Sequence, residues 1–320
     1  MDPILERYAG NPILEPIGNH PWESSRVFNC AAVYEDGKVH IVYRAQGEDD
    51  VSRLGYAESS DGYHVDFRYN QPIFSPLHHF ETYGCEDPRL TKIDDKFYLT
   101  YTAFGRVQRW HEVNSKMRLA QVGIASIPVS NFLDHKWNWG KRIFPIPQVD
   151  SKNSVLFPKK FQGKYALYHR ISPHIWVTYS NDLADWSNSY HKIVLTPQEK
   201  WEYKKIGSGA PPIETEKGWL LVYHGVDESF TYRLGLALID RDNPEKLFKL
   251  RRPIFEPRED YERSIAFCCG AVEMDGTLFV YYGADDRRIG VATADLSELL
   301  SLFDGKMCRQ IPMLANARRS

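Results

Sequence analysis

Five copies of one pattern run the length of the chain, and an internal repeat of long period admits few folds. DGKVHIVYRA (36–45), DDKFYLTYTA (94–103), QGKYALYHRI (162–171), EKGWLLVYHG (216–225) and DGTLFVYYG (275–283) each read as a turn followed by a strand that ends in aromatic residues. After a loop, each copy is trailed by a second apolar stretch: RLGYAES (53–59), VGIASI (122–127), IWVTYSND (175–182), RLGLALID (233–240) and RIGVATAD (288–295). A third element recurs as NPILEP (11–16), QPIFSP (71–76), RIFPIP (142–147), KIVLTP (192–197) and RPIFEP (252–257). Proline lacks an N–H for a sheet ladder, so these pieces are expected at outer edges. Counting the strand before each turn, every unit supplies four short strands. Five such units arranged radially make an all-β, five-bladed β-propeller, which leaves only short edges exposed. The last unit lacks its own proline-flanked element, whereas NPILEP precedes the first complete unit. The N-terminal strand is therefore expected to complete the last blade and close the ring. Little helix is expected, confined to DLSELLSLF (295–303) and a short N-terminal turn. No linker or low-complexity tract divides the chain, so residues 1–320 read as a single domain.

Charge narrows the partners. Forty basic residues against 42 acidic ones, for a net charge of -2, provide no basic field for nucleic acid or an anionic membrane. The 13% of aromatic residues suits strand packing and also the walls of sugar sites. Five cysteines (Cys30, Cys85, Cys268, Cys269, Cys308) are odd in number and lack paired metal-ligand spacing, which fits a reducing cytoplasm. MDPILERYAG has no basic segment leading into a long apolar one, and no 18-residue apolar run occurs anywhere. His78 and His79 read as a loop feature rather than a metal site, and nothing in the spacing calls for a metal or organic cofactor. The composition leaves homo-oligomers open.

The repeat also predicts where chemistry gathers. In a propeller the innermost strands line the central channel. Counted back from each turn, they begin near Asn29, Glu86 and Asp87, Lys152 and Asn153, Lys205 to Gly209, and Cys268. The second strands end at Arg44, Thr102, Arg170, His224 and Gly283, with Asp285 two residues further on. Antiparallel pairing brings the start of one strand beside the end of the next. One mouth should therefore carry Glu86, Asp87 and Asp285 among Arg44, Lys152, Arg170, Lys205 and His224. An inverting glycosidase pairs a carboxylic acid with a carboxylate that activates water. Here Asp87 stands among several cations, which is what a phosphate dianion needs. Phosphate could replace water as nucleophile, making a second carboxylate unnecessary. No Walker-type loop, G-x-S-x-G elbow or HExxH sequence is present.

With these residues in hand, the chain resembles the glycoside hydrolase family 130 mannoside phosphorylases and related β-mannosidases. NPIL, EDPR, N-x-x-LFP-x-K, LYHR, K-I-G-x-G-x-P-P-I, GWLLVYHGV, YRLGLALID and YYGADD carry the resemblance over nearly the whole chain. It implies a five-bladed propeller and inverting phosphorolysis of a β-mannoside to α-mannose 1-phosphate plus a shortened sugar, with inorganic phosphate as co-substrate. It implies that Asp87 is the general acid, acting in part of the family through a sugar hydroxyl. Asn29, Arg44 and Asp285, with Glu86 beside them, look like contacts to the mannosyl unit. Arg170, Lys205 and His224 resemble phosphate ligands, joined by Asn153, Tyr232 and Lys152. Lys152 stands where some members have Arg, which replaces a bidentate fork with a point charge. EDPR looks closer to members acting on β-1,2-linked mannosides than to the β-1,4 group.

Two other readings follow from the same residues. One is an inverting β-mannosidase that uses water, with Glu86 or another carboxylate as base. The other is a non-catalytic sugar-binding propeller, in which Trp110, Trp201 or Tyr83 would form platforms. The loops 45–52, 104–117 and 226–231 are expected to set linkage and acceptor preference.

Overall fold

The computed structural model describes residues 4–106, 118–187 and 189–304. The loop stretch 107–117, with Trp110, and Cys308 lie outside them. Five antiparallel sheets follow one another around a ring. Blade 1 consists of Arg26–Glu35, Lys38–Gln46, Arg53–Ser59 and Phe67–Arg68. Blade 2 consists of Gly84–Ile93, Lys96–Arg106 and Arg118–Pro128. Blade 3 is Lys152–Phe161, Lys164–Ile171, His174–Ser180 and His191–Leu195. In blade 4 the inner strand is split into Lys205–Ser208 and Ile213–Thr215, followed by Gly218–Val226, Tyr232–Ile239 and Leu247–Lys249. Blade 5 takes Ala266–Met274, Thr277–Ala284 and Arg288–Asp295 from the C-terminal part and Glu6–Arg7 from the N-terminal part.

The sequence lacks clean polar alternation in its middle strands because both faces of each sheet are covered, which produces near-continuous apolar runs. In blade 1, Ile41 and Tyr43 pack toward blade 5 with Tyr281 and Val291. Val42 between them packs toward blade 2 with Leu90 and Leu99. Successive strand residues point to opposite faces, so one strand serves two cores. Similar clusters join blades 2 and 3, 3 and 4, and 4 and 5.

Closure runs through the N-terminal strand, as the sequence implied. Glu6 and Arg7 pair with Thr293 and Ala292, and the Asn11 amide exchanges two 2.8 Å hydrogen bonds with the Val291 backbone. The proline-flanked elements depart from the expectation. NPILEP, QPIFSP, RIFPIP and RPIFEP contribute single bridges, Leu14 to Ile289, Leu54 to Phe74, Ile124 to Ile143 and Leu234 to Phe255. Prolines at their ends remove ladder donors, so no longer ladder propagates. Only KIVLTP overlaps a true outer strand, His191–Leu195. The expected C-terminal helix forms at Leu296–Ser301, capped by the Asp295 carboxylate accepting from Glu298 N at 3.0 Å. A second short helix, Val129–Leu133, was not anticipated. No helix among the described residues is long and apolar enough to cross a membrane.

Four blades share a buried strut. Glu23, Glu81, Glu202 and Glu262 are wholly buried just ahead of the inner strands of blades 1, 2, 4 and 5. Each accepts from a tyrosine on the second strand: Tyr43 at 2.8 Å, Tyr101 at 2.6 Å, Tyr223 at 2.9 Å and Tyr282 at 2.7 Å. Each also meets a cation from the rim: Arg68, Arg142, Lys249 and Arg7 respectively. The tyrosine ring lies over a glycine of the third strand. A Cβ at Gly55 would sit 2.3 Å from Tyr43, and Gly123, Gly235 and Gly290 are crowded in the same way. Among the described residues blade 3 has no such strut. Pro147 stands where the glutamate would be, Val177 faces Tyr168, and the Tyr168 hydroxyl donates to the Pro244 carbonyl.

The pair between Arg7 and Glu262, with bonds of 2.7 and 2.8 Å, ties the closing strand to the ring. Removing one partner of a buried ion pair strands the other charge, so Arg7→Ala should lower unfolding free energy by about 3 kcal/mol in urea titrations. A loss below about 0.5 kcal/mol, the scale of an ordinary surface substitution, would contradict this role.

Candidate active site

The polar residues of the mouth are aimed by bulges. In blade 1 the register slips between Phe28 and Cys30, in blade 2 between Glu86 and Arg89, in blade 3 between Lys152 and Val155. Asn29, Asp87 and Asn153 take up the extra length in the left-handed region, with φ of 48°, 48° and 53°. Asn and Asp tolerate that conformation best among non-glycine residues. A bulge re-aims its side chain, and these three are turned to the axis and nearly buried. In blades 1 and 2 the bulge lies six residues beyond the strut, 23 to 29 and 81 to 87, and in blade 5, where the register slips between Cys268 and Gly270, the extra residue lies seven beyond Glu262. Ser208 follows Glu202 by six residues, where the inner strand of blade 4 breaks.

Asp87 sits at the acidic side of the mouth. One Oδ accepts from Asn29 Nδ2 at 2.9 Å and from Arg44 Nη1 at 3.1 Å. Arg44 also donates to Glu86 at 2.7 Å and to Ser52 at 2.9 Å, so one guanidinium holds both carboxylates. Burial pushes the Asp87 pKa up, but Arg44, Arg89 and Lys152 outweigh it and leave it below its usual value. Glu86 moves the other way: burial raises it, Arg44 opposes, and the Asp87 charge adds to the rise. Of the two carboxyls, Asp87 is thus the stronger acid.

The structure divides the two residues at the YYGADD turn. Asp285 turns to the rim and pairs with Arg263 at 3.3 Å. Asp286 faces the acidic side, where burial and Asp87 raise its pKa while Arg44 and the Asn29 amide oppose the rise. The mouth residue is therefore Asp286, one position beyond the sequence expectation. Both residues have positive φ, 53° and 49°, so strand alternation could not tell them apart.

Cations gather opposite. Lys152 and Arg170 are paired across neighbouring strands of blade 3. Lys205 Nζ lies 5.4 Å from the Tyr232 ring centroid, and that ring lies 5.9 Å from the His224 ring. Among the described residues, Lys152, Arg170 and Lys205 have no carboxylate at ion-pair distance. Burial, reinforced by Arg170 and Lys152, brings the Lys205 pKa down to about 8. Burial and these cations hold His224 well below its usual value, so His224 is a neutral donor rather than the cation its sequence position suggested. Gly207 makes room here, since a Cβ would meet His224 Nε2 and Asn153 Oδ1, each at 2.7 Å.

Several buried polar atoms of this wall lack a partner among the described residues: both His224 nitrogens, Asn153 Oδ1 and Ser208 Oγ. Unmade buried hydrogen bonds beside mutually repelling cations describe a cradle for an anion that brings its own acceptors and an acidic hydrogen. Two of the three platforms of the sugar-binding reading, Trp201 and Tyr83, are otherwise engaged. Trp201 packs on Tyr223 at 5.8 Å and donates to Arg251 O, and Tyr83 is covered by Arg118 at 4.5 Å.

Because the charged form of Lys205 binds an anion, phosphate affinity should fall as pH rises through about 8 or somewhat above, the bound anion itself raising the Lys205 pKa. Calorimetric titration between pH 6.5 and 9.5 should show this decline, and Lys205→Met should flatten it. An affinity level across that range in the unaltered protein would remove Lys205 from the cradle.

The comparisons with known proteins agree with this architecture. Residues 3–305 match the family described as beta-1,4-mannooligosaccharide phosphorylase. A beta-1,2-mannobiose phosphorylase of Thermoanaerobacter sp. (strain X514) is 41% identical over 91% of this chain and 97% of its own. A 1,2-beta-oligomannan phosphorylase of the same strain is 36% identical over 92% and 98%. The solved structure of the beta-1,2-mannobiose phosphorylase of Listeria innocua superposes with a TM-score of 0.76, covering 93% of this chain and 98% of that one at 24% identity, a likeness of fold. A shared propeller, and a match that runs from residue 3 to residue 305, place the chain in glycoside hydrolase family 130.

Proposed function

We propose that the protein is an inverting β-mannoside phosphorylase acting on β-1,2-linked mannosides, with inorganic phosphate as the only other reactant. The observation that carries this reading is the division of the mouth into an acidic side at Asp87 and a cationic wall with unmade hydrogen bonds. The β-1,2 linkage is supported by the two relatives at 36% and 41% identity.

In the proposed reaction HPO4²⁻ rests on Lys152, Asn153, Arg170, Lys205 and His224, with Tyr232 beside them. The terminal mannosyl unit lies between this wall and Asn29, Arg44, Glu86 and Asp286. A phosphate oxygen bonds to C1 from the face opposite the glycosidic oxygen, and the C1–O bond breaks. The departing oxygen takes a proton from Asp87, directly or through a sugar hydroxyl. The phosphate proton returns to Asp87, so α-mannose 1-phosphate and a shortened sugar are the only products. The resting ionisation of Asp87 supports the ordering of events. A bound dianion offsets the cations that depress its pKa, so phosphate itself promotes the protonated acid.

A water-using mannosidase would need a base on the face opposite the acid, with the carboxyl groups about 6.5–9.5 Å apart. Glu86 is held on the same Arg44 guanidinium as Asp87, which supports its placement beside the acid. The four buried free thiols, Cys30, Cys85, Cys268 and Cys269, support a reducing, cytoplasmic setting.

The reading is tested by incubating the protein with β-1,2- and β-1,4-mannobiose, with and without phosphate, and measuring mannose 1-phosphate and free mannose separately. Phosphate-dependent mannose 1-phosphate from the β-1,2 sugar is expected, and free mannose without phosphate would overturn it. Asp87→Asn should lower kcat by about 10³-fold, within the range for general acid catalysis, while phosphate affinity changes little. Retained kcat in that variant would exclude Asp87 as the acid.

A further inference from the structure

Arg89, the last residue of EDPR, is wholly buried beneath the mouth. Its guanidinium has no carboxylate at ion-pair distance among the described residues. Its donors go to three backbone carbonyls: Asp87 O at 2.7 Å, Gly209 O at 2.9 Å and Ser208 O at 3.2 Å. Asp87 O belongs to the left-handed bulge of blade 2. Ser208 and Gly209 lie where the inner strand of blade 4 leaves its ladder, Lys205–Ser208 having ended and Ile213–Thr215 not yet begun. The fork thus satisfies acceptors at two irregularities on blades that are not neighbours in the ring. It spans the floor of the channel and passes by blade 3.

Burying a guanidinium without an anionic partner is costly, and neutral carbonyls offset only part of that cost. A purely structural tie at this point could be made by a neutral donor. The charge has a direction of use: Asp87 and His224 both feel it, one from each side of the mouth. Arginine also supplies what lysine cannot, a planar fork whose donors reach separated acceptors at once.

We infer that Arg89 is a positioning residue for the reaction, fixing Asp87 relative to the segment Lys205–Ser208 and placing a buried positive charge beneath both. It touches neither substrate. The inference rests on the phosphorylase reading of the site. The distance between the acid and the phosphate cradle is set through Arg89, and its charge adds to the field that draws an anion into the mouth.

Arg89→Lys keeps the charge and loses the fork, whereas Arg89→Met loses both. With β-1,2-mannobiose as substrate, Arg89→Lys should bind phosphate within about threefold of the unaltered protein in calorimetry, yet lose about 100-fold in kcat, the scale of a small misplacement. Arg89→Met should lose in both quantities, with phosphate affinity down about tenfold. Arg7→Ala serves as the control for lost stability, because Arg7 lies at the rim and should leave kcat unchanged. Unchanged kcat in Arg89→Lys, or a loss no greater than that of Arg7→Ala, would overturn the positioning role. Equal phosphate affinity in the Lys and Met variants would overturn the role of the charge. If Arg89→Met shows no cooperative melting, Arg89→Lys alone decides the positioning role, and Arg89→Gln takes its place in testing the charge. If the unaltered protein makes no mannose 1-phosphate, the phosphorylase reading fails, while the comparison of phosphate affinities still tests the charge.

Discussion

Each of the glutamates Glu23, Glu81, Glu202 and Glu262 is a charge taken wholly out of water, and such a group is tolerable only when donors surround it. Here the donors come from three places at once: the tyrosine of the second strand, the cation of the rim, and, for Glu81, Glu202 and Glu262, backbone N–H groups of the preceding turn. Satisfying the carboxylate therefore fixes the rim, the middle of the blade and the approach to the inner strand together. Buried ion pairs add little net stability against a well-packed apolar alternative, and their better-attested value lies in specifying one arrangement. The bulge residues depend on that arrangement. A strand that starts from a rigid point six residues upstream presents Asn29, Asp87 or Ser208 at a defined place on the axis.

The site built on this frame separates its charges. Arg44 gathers Glu86 and Asp87 on one side, while Lys152, Arg170 and Lys205 face them without carboxylate partners of their own among the described residues. A group carrying two negative charges completes such a wall, and a second catalytic carboxylate would have to compete with it. This is the physical reason the geometry suits phosphate better than activated water as the nucleophile. Lys152 gives its part of the wall a single point charge, whereas Arg170 offers a planar fork.

Much of this was legible in the chain because it recurs with the repeat. Strand positions follow from turn-and-strand periodicity, and ring closure follows from the displaced copy NPILEP. The mouth residues follow because a propeller places equivalent positions together. What escaped the sequence depends on conformations that break the period. The turn at Asp285 and Asp286 has positive φ at both residues, and the repeat position two residues past Gly283 fell on Asp285, whereas Asp286 faces Asp87. The neutrality of His224 reflects burial among cations, which no local pattern encodes. The proline-flanked elements were read as full edge strands, although their missing donors leave only bridges. The struts escaped because their partners are far apart in sequence: Glu202 meets Lys249, and Glu262 meets Arg7 from the opposite part of the chain. In blades 1 and 2 a glutamate six residues before the bulge position is the visible trace.

The most direct test of the account is a crystal structure of Asp87→Asn with β-1,2-mannobiose and phosphate bound, since the substitution keeps the shape of the side chain while removing the acid. The account predicts phosphate on Lys152, Arg170, Lys205 and His224, with C1 of the terminal mannose between it and residue 87. Phosphate bound on the Asn29 and Arg44 side, or a mannosyl unit seated away from the axis, would contradict it.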